Sequence, residues 1–192
     1  MAIDTGIALD CAGLVEVGGI QNIFVTDLSN ITDLNTAGQG AYDRFDTVVS
    51  SNTDWAMFQV KPNTATWNTT SAYENGLSVY TTTIQWYIPN ISQGRIIKLK
   101  EMENACIVAI AEFRSGTYRT IGISEPYPGF GEGNNWLYND TYARMTLEDT
   151  SGSDFVDGNG ATVTLTATSF EVPRAYTGTI TPAAGNQTAA VA

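Results

Sequence analysis

The sequence predicts a mainly β protein: an antiparallel β-sandwich or barrel with one α-helix packed across it, a long inter-strand loop and an extended C-terminal arm. Short apolar segments with alternating side chains recur along the chain, separated by turns rich in Gly, Pro and Asn. Only one segment repeats apolar residues at helical spacing. The length of 192 residues fits one domain. We assign residues 1–172 to the sandwich and residues 173–192 to the arm.

The first strand is expected at Ile20 to Leu28, where Ile, Phe and Val follow a Gly-Gly turn signal. The polar segment 29–52 comes next, and two glycines interrupt any regular pattern in it. We interpret it as a long loop or an extended hairpin, with a short strand at 47–50. Loops of this length in compact domains are usually functional or ordered by a partner.

The strongest hairpin signal is Asn75-Gly76, because both central positions of a type I′ turn need positive φ. It joins a strand at 67–73 to one at 77–88. In the second strand the even-numbered residues from Tyr80 to Ile88 share one face, and Leu77 and Val79 lie on the other. Another strand is expected at 55–60.

One helix is predicted, at 92–105. Ser92 is suited to the N-cap, and apolar residues recur every three positions from Ile96 through Leu99 and Met102 to Ala105. The near-continuous apolar run 106–113 predicts a buried central strand. Further strands are expected at 117–124, 137–147 and 161–172, and a Gly/Pro-rich surface loop at 125–136.

Composition excludes several classes of function. The chain has no histidine, so imidazole-based catalytic and metal sites are absent. The net charge of −11 disfavours gripping nucleic acid through its phosphates. No apolar run is long enough to span a membrane, and the N-terminus lacks the basic region of a secretory signal. Cys11 and Cys106 could pair, but two free thiols in a reducing cytosol are the favoured interpretation.

The remaining candidates for catalysis or ligand binding are carboxylate pairs, an acidic loop, the tryptophans and a Gly-rich segment. Carboxylate pairs could flank a glycosidic bond, oxygen ligands in the 149–160 loop could hold calcium, and tryptophans could stack on sugars. The Gly-rich segment 129–133 lacks the Lys of a phosphate loop. Solvated loops, turns and core packing explain these residues better, so we predict no enzyme and no catalytic, cofactor or metal residues. The residues weighed are Asp27 with Asp33, Asp43 with Asp46, Glu148 with Asp149, then Asp154, Asp157 and Asn159, and Trp55, Trp67, Trp86 and Trp136.

Several features nevertheless occur in a specific order along the chain. They are Cys11 followed by Gly18-Gly19-Ile20, then IFVTDLSNIT, the strand after Asn75-Gly76, RIIKLKEMENACIVAI, FRSGTYRTIGISE, DGNG and EVPR. This order resembles a family of bacteriophage structural proteins, the tail tube and other virion proteins, found especially in phages of Bacteroidetes. The resemblance spans about residues 11–174; the 125–136 loop and the Thr/Ala-rich tail depart from it.

The resemblance implies a self-assembling subunit of the virion tail, made in the host bacterial cytoplasm. In that family six copies form a ring whose sheets close around a lumen, and rings stack through loops and terminal arms. The tube surrounds the tape-measure protein, meets the head–tail connector and passes DNA as non-specific cargo. Carboxylates lining the lumen would repel phosphates over about 8 Å. We expect segment 29–52 and the arm after Pro173 to make inter-ring contacts.

Two alternatives stay open. The first is another virion component, a capsid decoration or head–tail adaptor protein. The second is a carbohydrate-binding β-sandwich module that uses its tryptophans and an acidic loop. A glycosidase ranks last.

Overall fold

The computed structural model describes residues 19–36, 44–49, 55–89, 92–123, 142–150, 160–178 and 180. Within them the chain is mainly β with a single α-helix, as predicted. In chain order the elements are β1 (Ile20–Asp27), a 3-10 turn (Leu28–Asn30), β2 (Ile31–Thr36), β3 (Arg44–Val49), β4 (Ala56–Gln59), β5 (Ala65–Glu74), β6 (Leu77–Pro89), α1 (Gln93–Glu103), β7 (Ile107–Phe113), β8 (Tyr118–Ile121), β9 (Arg144–Thr150), β10 (Gly160–Ser169) and β11 (Ala175–Tyr176).

The strands form two sheets. The larger sheet has seven strands in the order β2-β3-β11-β8-β7-β1-β4, and the smaller has four in the order β5-β6-β10-β9. All pairings are antiparallel except that of β11 with β3. The sheets pack face to face, which confirms the sandwich.

A hydrophobic core fills the space between the sheets. Alternation along β1, β6 and β10 turns every second side chain toward this space, and α1 contributes one buried leucine. The alternation predicted for β6 is therefore confirmed, and β10 has the same alternation. Buried members of this core include Ile23, Val25, Ile84, Trp86, Leu99, Val163 and Leu165.

The far face of the seven-stranded sheet carries a second core. Phe24 of β1 and Val108 and Ile110 of β7 lie there with Trp55 and Tyr176. The two central strands β1 and β7 are thus buried on both faces. This explains why β7 is an almost uninterrupted apolar run rather than an alternating one.

The Asn75-Gly76 turn is confirmed. Both residues have positive φ, 49° and 87°, as a type I′ turn requires. β5 and β6 pair in register from Ala65↔Trp86 to Glu74↔Leu77. The hairpin is therefore longer than the strand predicted at 67–73.

The polar segment 29–52 contains a hairpin, the second of the two interpretations offered for it. β2 and β3 pair antiparallel between Ile31 and Val49, so the strand predicted at 47–50 begins earlier, at Arg44. At its start the Asp27 carboxylate accepts hydrogen bonds from the amide and hydroxyl of Ser29, at 2.8 and 2.6 Å. Residues 37–43 and 50–54 lie outside the described part of the chain.

The helix α1 is two residues shorter at its C-terminus than predicted. Leu99 is buried and Ile96 and Met102 are half-buried, so the expected apolar face packs on the protein, whereas Ile97 is exposed. Ser92 occupies the N-cap, but its side chain makes no capping hydrogen bond; its carbonyl accepts from the amides of the first turn instead. No helix among the described residues has the length and apolarity to cross a bilayer.

The segment after Pro173, which was expected to be an extended arm, begins inside the domain. Ala175 and Tyr176 form β11 between β3 and β8, and Tyr176 is buried. Arg174 is also buried, and its carbonyl accepts from the Thr120 amide at 2.9 Å. The chain crosses here from the four-stranded to the seven-stranded sheet, so the boundary placed after residue 172 divides one structural unit. Residues 181–192 lie outside the described part.

The two sheets are also joined at Gly122. This glycine has a φ of +86°, and a Cβ there would collide with the carbonyl oxygen of Ile107 and the amide nitrogen of Ala143. Those two residues form a backbone bridge that links the start of β9 to β7, with N···O distances of 2.7 and 3.2 Å. Only a residue without a side chain lets the strands approach this closely.

We expect Gly122→Ala to be much more destabilising than Gly116→Ala. Both glycines have positive φ, but a Cβ at Gly116 would meet no atom within 4 Å. Gly116→Ala should cost about 1 kcal/mol for the left-handed backbone alone. Gly122→Ala should cost about 2 kcal/mol more, because the strand junction must open. Urea denaturation measures both; equal losses would show that the close approach does not matter.

Candidate functional site

Of the carboxylate pairs considered for catalysis, only Glu148 with Asp149 is described in full, and these two carboxylates do not face each other. Glu148 and Asp149 are both exposed and adjacent on β9, so their side chains point to opposite faces of the sheet. Asp27 binds Ser29 in the 3-10 turn. The side chains of Asp33, Asp43 and Asp46 lie outside the described set.

No group of three potential metal ligands occurs among the described side chains. Of the acidic loop 149–160 only its ends are described, so Asp154, Asp157 and Asn159 fall outside, as does the Gly-rich segment 129–133. Cys106 carries a free, half-buried thiol, and Cys11 lies outside the described residues.

The described tryptophans pack in the interior, as the favoured interpretation expected. Trp55 and Trp86 are buried. Trp67 is half-buried between the sheets, with its ring edge-on to Phe113 at a centroid distance of 5.4 Å. These three rings therefore present no platform on which a sugar could stack; Trp136 is outside the described part.

The most distinctive surface is the outer face of the four-stranded sheet. Its side chains alternate with those of the core, and most are hydroxyls. We call it the threonine face; it comprises Thr66, Asn68 and Thr70 of β5, Thr81, Thr83 and Gln85 of β6, Arg144, Thr146 and Glu148 of β9, and Thr162, Thr164, Thr166 and Thr168 of β10.

Hydrogen bonds across the threonine face are few and long. Thr81 and Thr168 approach to 3.4 Å between hydroxyl oxygens, and the Gln85 amide donates to Thr164 at 3.4 Å. These distances are at the limit of a hydrogen bond. The hydroxyls are therefore free to bind water or a partner.

Among the described strands, none covers the outer edge of β5, which we call the open edge. In a type I′ hairpin the residues that flank the turn, Glu74 and Leu77, exchange both backbone hydrogen bonds, and the pairs then alternate along the ladder. Even-numbered residues of β5 thus bond to β6, and odd-numbered ones direct N–H and C=O outward. No strand among the described residues pairs with this edge. The outward residues are Ala65, Trp67, Thr69, Ser71 and Tyr73.

The outer edge of β9 is partly covered. Continuing the alternation through β6 and β10 directs the odd-numbered residues of β9 outward. Two contacts agree with this: Ala143, just before the strand, bonds to the Ile107 backbone, and the Leu147 amide donates to a carboxylate oxygen of Glu103 at 3.0 Å. The two edges of the sheet therefore differ: the described strands leave the β5 edge unpaired, whereas Ile107 and Glu103 partly cover the β9 edge.

Exposed apolar side chains lie at the turn end of this sheet. Tyr73 is 77% exposed and Leu77 48%, both beside the turn that joins β5 to β6. Phe170 and Val172, which follow β10, are exposed to a similar extent. β10 ends beside Tyr80 of the same hairpin, so these residues belong to one end of the sheet.

A polar row crosses the seven-stranded sheet at Glu112. Asn22 of β1 donates to one carboxylate oxygen at 2.6 Å, and the Tyr118 hydroxyl of β8 donates to the other at 2.9 Å. The hydrogen bond to Glu112 raises the pKa of Tyr118 above 10.0, and burial and the negative charge of Glu112 act in the same direction. The row ties three neighbouring strands together.

An ion pair between buried Arg174 and partly exposed Glu171 holds the crossover from β10 to β11. The Arg174 guanidinium donates to one carboxylate oxygen of Glu171 from Nε at 3.0 Å and from Nη2 at 2.5 Å. The Ser169 hydroxyl donates to the Glu171 carbonyl at 2.6 Å. This arrangement holds the chain as it leaves one sheet for the other.

Sequence reasoning did not identify Glu103, Glu112 or Arg174. Glu103 and Glu112 bind partners that are distant in sequence, and Arg174 is distinguished by its burial. A distant partner and burial both leave no local pattern in the sequence. The segments RIIKLKEMENACIVAI and EVPR contain Glu103 and Arg174, but they support the resemblance through their order in the chain and not through these charges.

No family model, curated protein or solved structure matches this chain. The functional argument therefore depends on the geometry of the four-stranded sheet and on the resemblance in sequence order.

We expect Tyr118→Phe to change how stability depends on alkaline pH. Because the folded-state pKa of Tyr118 is raised, its contribution is complete below pH 10.0 and is lost as pH rises through the folded pKa. From about pH 9 to about pH 11 the free energy of unfolding should fall more for the wild type than for Tyr118→Phe. Tyr73→Phe, at an exposed hairpin site, is the control. Parallel pH profiles of wild type and Tyr118→Phe in urea denaturation would contradict this.

We expect Glu171→Gln to destabilise the fold by about 2 kcal/mol, because a neutral amide accepts the hydrogen bonds of the Arg174 guanidinium more weakly than the carboxylate does. Glu148→Gln, at an exposed site on β9, should change stability by less than about 0.5 kcal/mol. Thermal and urea unfolding measure both variants. Equal effects would mean that the pair contributes nothing to the crossover.

Proposed function

We propose that this chain is a structural subunit of a bacteriophage tail, which self-assembles into stacked rings that form the tail tube through which DNA passes. The proposal assigns it no enzymatic activity. Its location is the virion tail, after synthesis in the cytoplasm of the bacterial host.

The observation that carries this proposal is the open edge of β5 in a sheet with an even number of strands. Neighbouring strands in the order β5-β6-β10-β9 are antiparallel, so β5 and β9 run in opposite directions. A copy rotated about an axis along the strands can set its β5 beside β9 and continue the antiparallel pattern. Such head-to-tail contacts close into rings, and closure removes both edges of the four-stranded sheet.

The threonine face would then line the channel. The other face of the four-stranded sheet packs against the seven-stranded sheet and the helix. Because these elements take up more space than the inside of a closed ring offers, they would lie on its outside. The channel wall would carry mostly hydroxyls. This revises the carboxylate lining expected from composition, because the described charged side chains on this side of the sheet are Arg144, Glu148 and, beside the turn, Glu74.

A hydroxyl wall suits passage of DNA and of a tape-measure protein. Threonine hydroxyls are uncharged and already solvated, so they offer a moving phosphate chain no fixed cation to bind. The DNA is non-specific cargo on this account. Contacts with the head–tail connector and other tail proteins would occur at the ends of the tube.

Ring stacking is assigned to the ends of the sheets. The exposed apolar side chains Tyr73 and Leu77 on the β5–β6 hairpin, with Phe170 and Val172, are suited to cover by the next ring. The β2–β3 hairpin in segment 29–52 and the residues beyond β11 remain the proposed partners in these contacts.

The alternative of a carbohydrate-binding module has less support, because three of its four candidate tryptophans pack in the interior. Another virion role, in the capsid or the head–tail joint, would use the same open edge. The two virion roles differ in the assembly formed, closed stacked rings against attachment to a preformed shell.

Negative-stain microscopy of the purified chain should show rings or tubes, and Ser71→Pro should abolish them. The Ser71 amide points away from β6, so proline leaves the hairpin ladder intact while removing an outward donor. Ser71→Ala keeps that amide and is the matched control. We expect Ser71→Pro to remain folded by circular dichroism, to sediment as a single chain and to lose tubes, whereas Ser71→Ala assembles. Tubes formed equally by Ser71→Pro would exclude the β5 edge as the joint.

A further inference from the structure

We propose that Glu103 guards the outer edge of β9 in the single chain, and that β5 of a second copy displaces it on assembly. This inference rests on the proposed function, since the occupant of the edge is another copy of this chain. Displacement of Glu103 would then be a required step before the sheets of two copies can join.

The guard is a single hydrogen bond between a side chain and a backbone amide that has no partner strand. Glu103 is the last residue of α1, and its carboxylate accepts the outward amide of Leu147 in the middle of β9, at 3.0 Å. α1 packs along β9, with Leu99 buried in the same core as Met145. A carboxylate in this position occupies the site at which the carbonyl of an added strand would bind.

The other cover on this edge is of a different kind. Ala143 pairs through its backbone with Ile107, and Gly122 makes room for that bridge. This contact joins the two sheets of the sandwich and would stay in place. The outward groups of Met145, Leu147 and Asp149 are then the stretch available to a new strand, and Glu103 is the described contact that blocks its centre.

The outward backbone groups of β9 determine which partner can bind there. It requires an extended strand with alternate free N–H and C=O groups that runs antiparallel to β9. The open edge of β5 has five such residues and the right direction in a head-to-tail ring. Until it arrives, a charged side chain at an edge discourages unspecific strand pairing.

Three variants that remove the same single negative charge test the guard. Glu103→Ala removes the acceptor and exposes the Leu147 amide. Glu103→Gln loses the charge but keeps an amide oxygen that can accept. Glu101→Ala removes a carboxylate from an exposed position of the same helix, and therefore controls for net charge. Alanine and glutamine both favour helix, so all three variants should fold.

The threshold concentration for assembly is measured by sedimentation velocity. Glu103→Ala should assemble at a concentration about fivefold lower than Glu101→Ala, the equivalent of losing a competing hydrogen bond. Glu103→Gln should resemble Glu101→Ala. Equal thresholds for all three variants, or a higher one for Glu103→Ala, would overturn the guard while leaving the tube proposal intact. If wild type and all variants stay single chains at every concentration, both proposals fail.

Discussion

The structure depends on one constraint: every backbone N–H and C=O needs a hydrogen-bond partner. In the four-stranded sheet the alternation set by the Asn75-Gly76 turn satisfies β6 and β10 on both sides. It leaves the odd-numbered residues of β5 facing outward along the whole strand. β9, at the other edge, meets the Ile107 backbone and the Glu103 carboxylate. The open edge is thus a consequence of the strand order and is the feature from which function is argued.

The division of side chains between the two faces of this sheet follows from the same alternation. Leu165 and Val163 of β10 are buried in the core, and Thr164 between them lies on the outer face. Threonine satisfies the β-branched preference of strands without adding charge. The charged content of 15% is low for that reason. A face of this kind is stable in water and is equally suited to line a solvated channel.

The sequence pattern predicted those features that depend only on residues close together in the chain. The Asn75-Gly76 turn, the alternation of β6 and β10 and the apolar run of β7 follow from backbone preference and burial, and the structure has them. Which strand belongs to which of the two sheets depends on contacts between distant segments and could not be predicted. The same holds for β11, two residues placed beside β3 and β8, and for Glu103, which reaches Leu147 only because α1 lies along β9. The burial of Arg174 likewise follows from the crossover and not from its neighbours in sequence.

Hydrogen exchange of the β5 amides tests the central claim most directly. In dilute single chains the outward amides of Trp67, Thr69 and Ser71 should exchange quickly, and the inward amides of Asn68 and Thr70 slowly. In the assembled state the outward amides should become as protected as the inward ones, because a neighbouring strand now accepts from them. Rings or tubes in which these outward amides still exchange quickly would contradict the account, since the sheets would then be joined elsewhere.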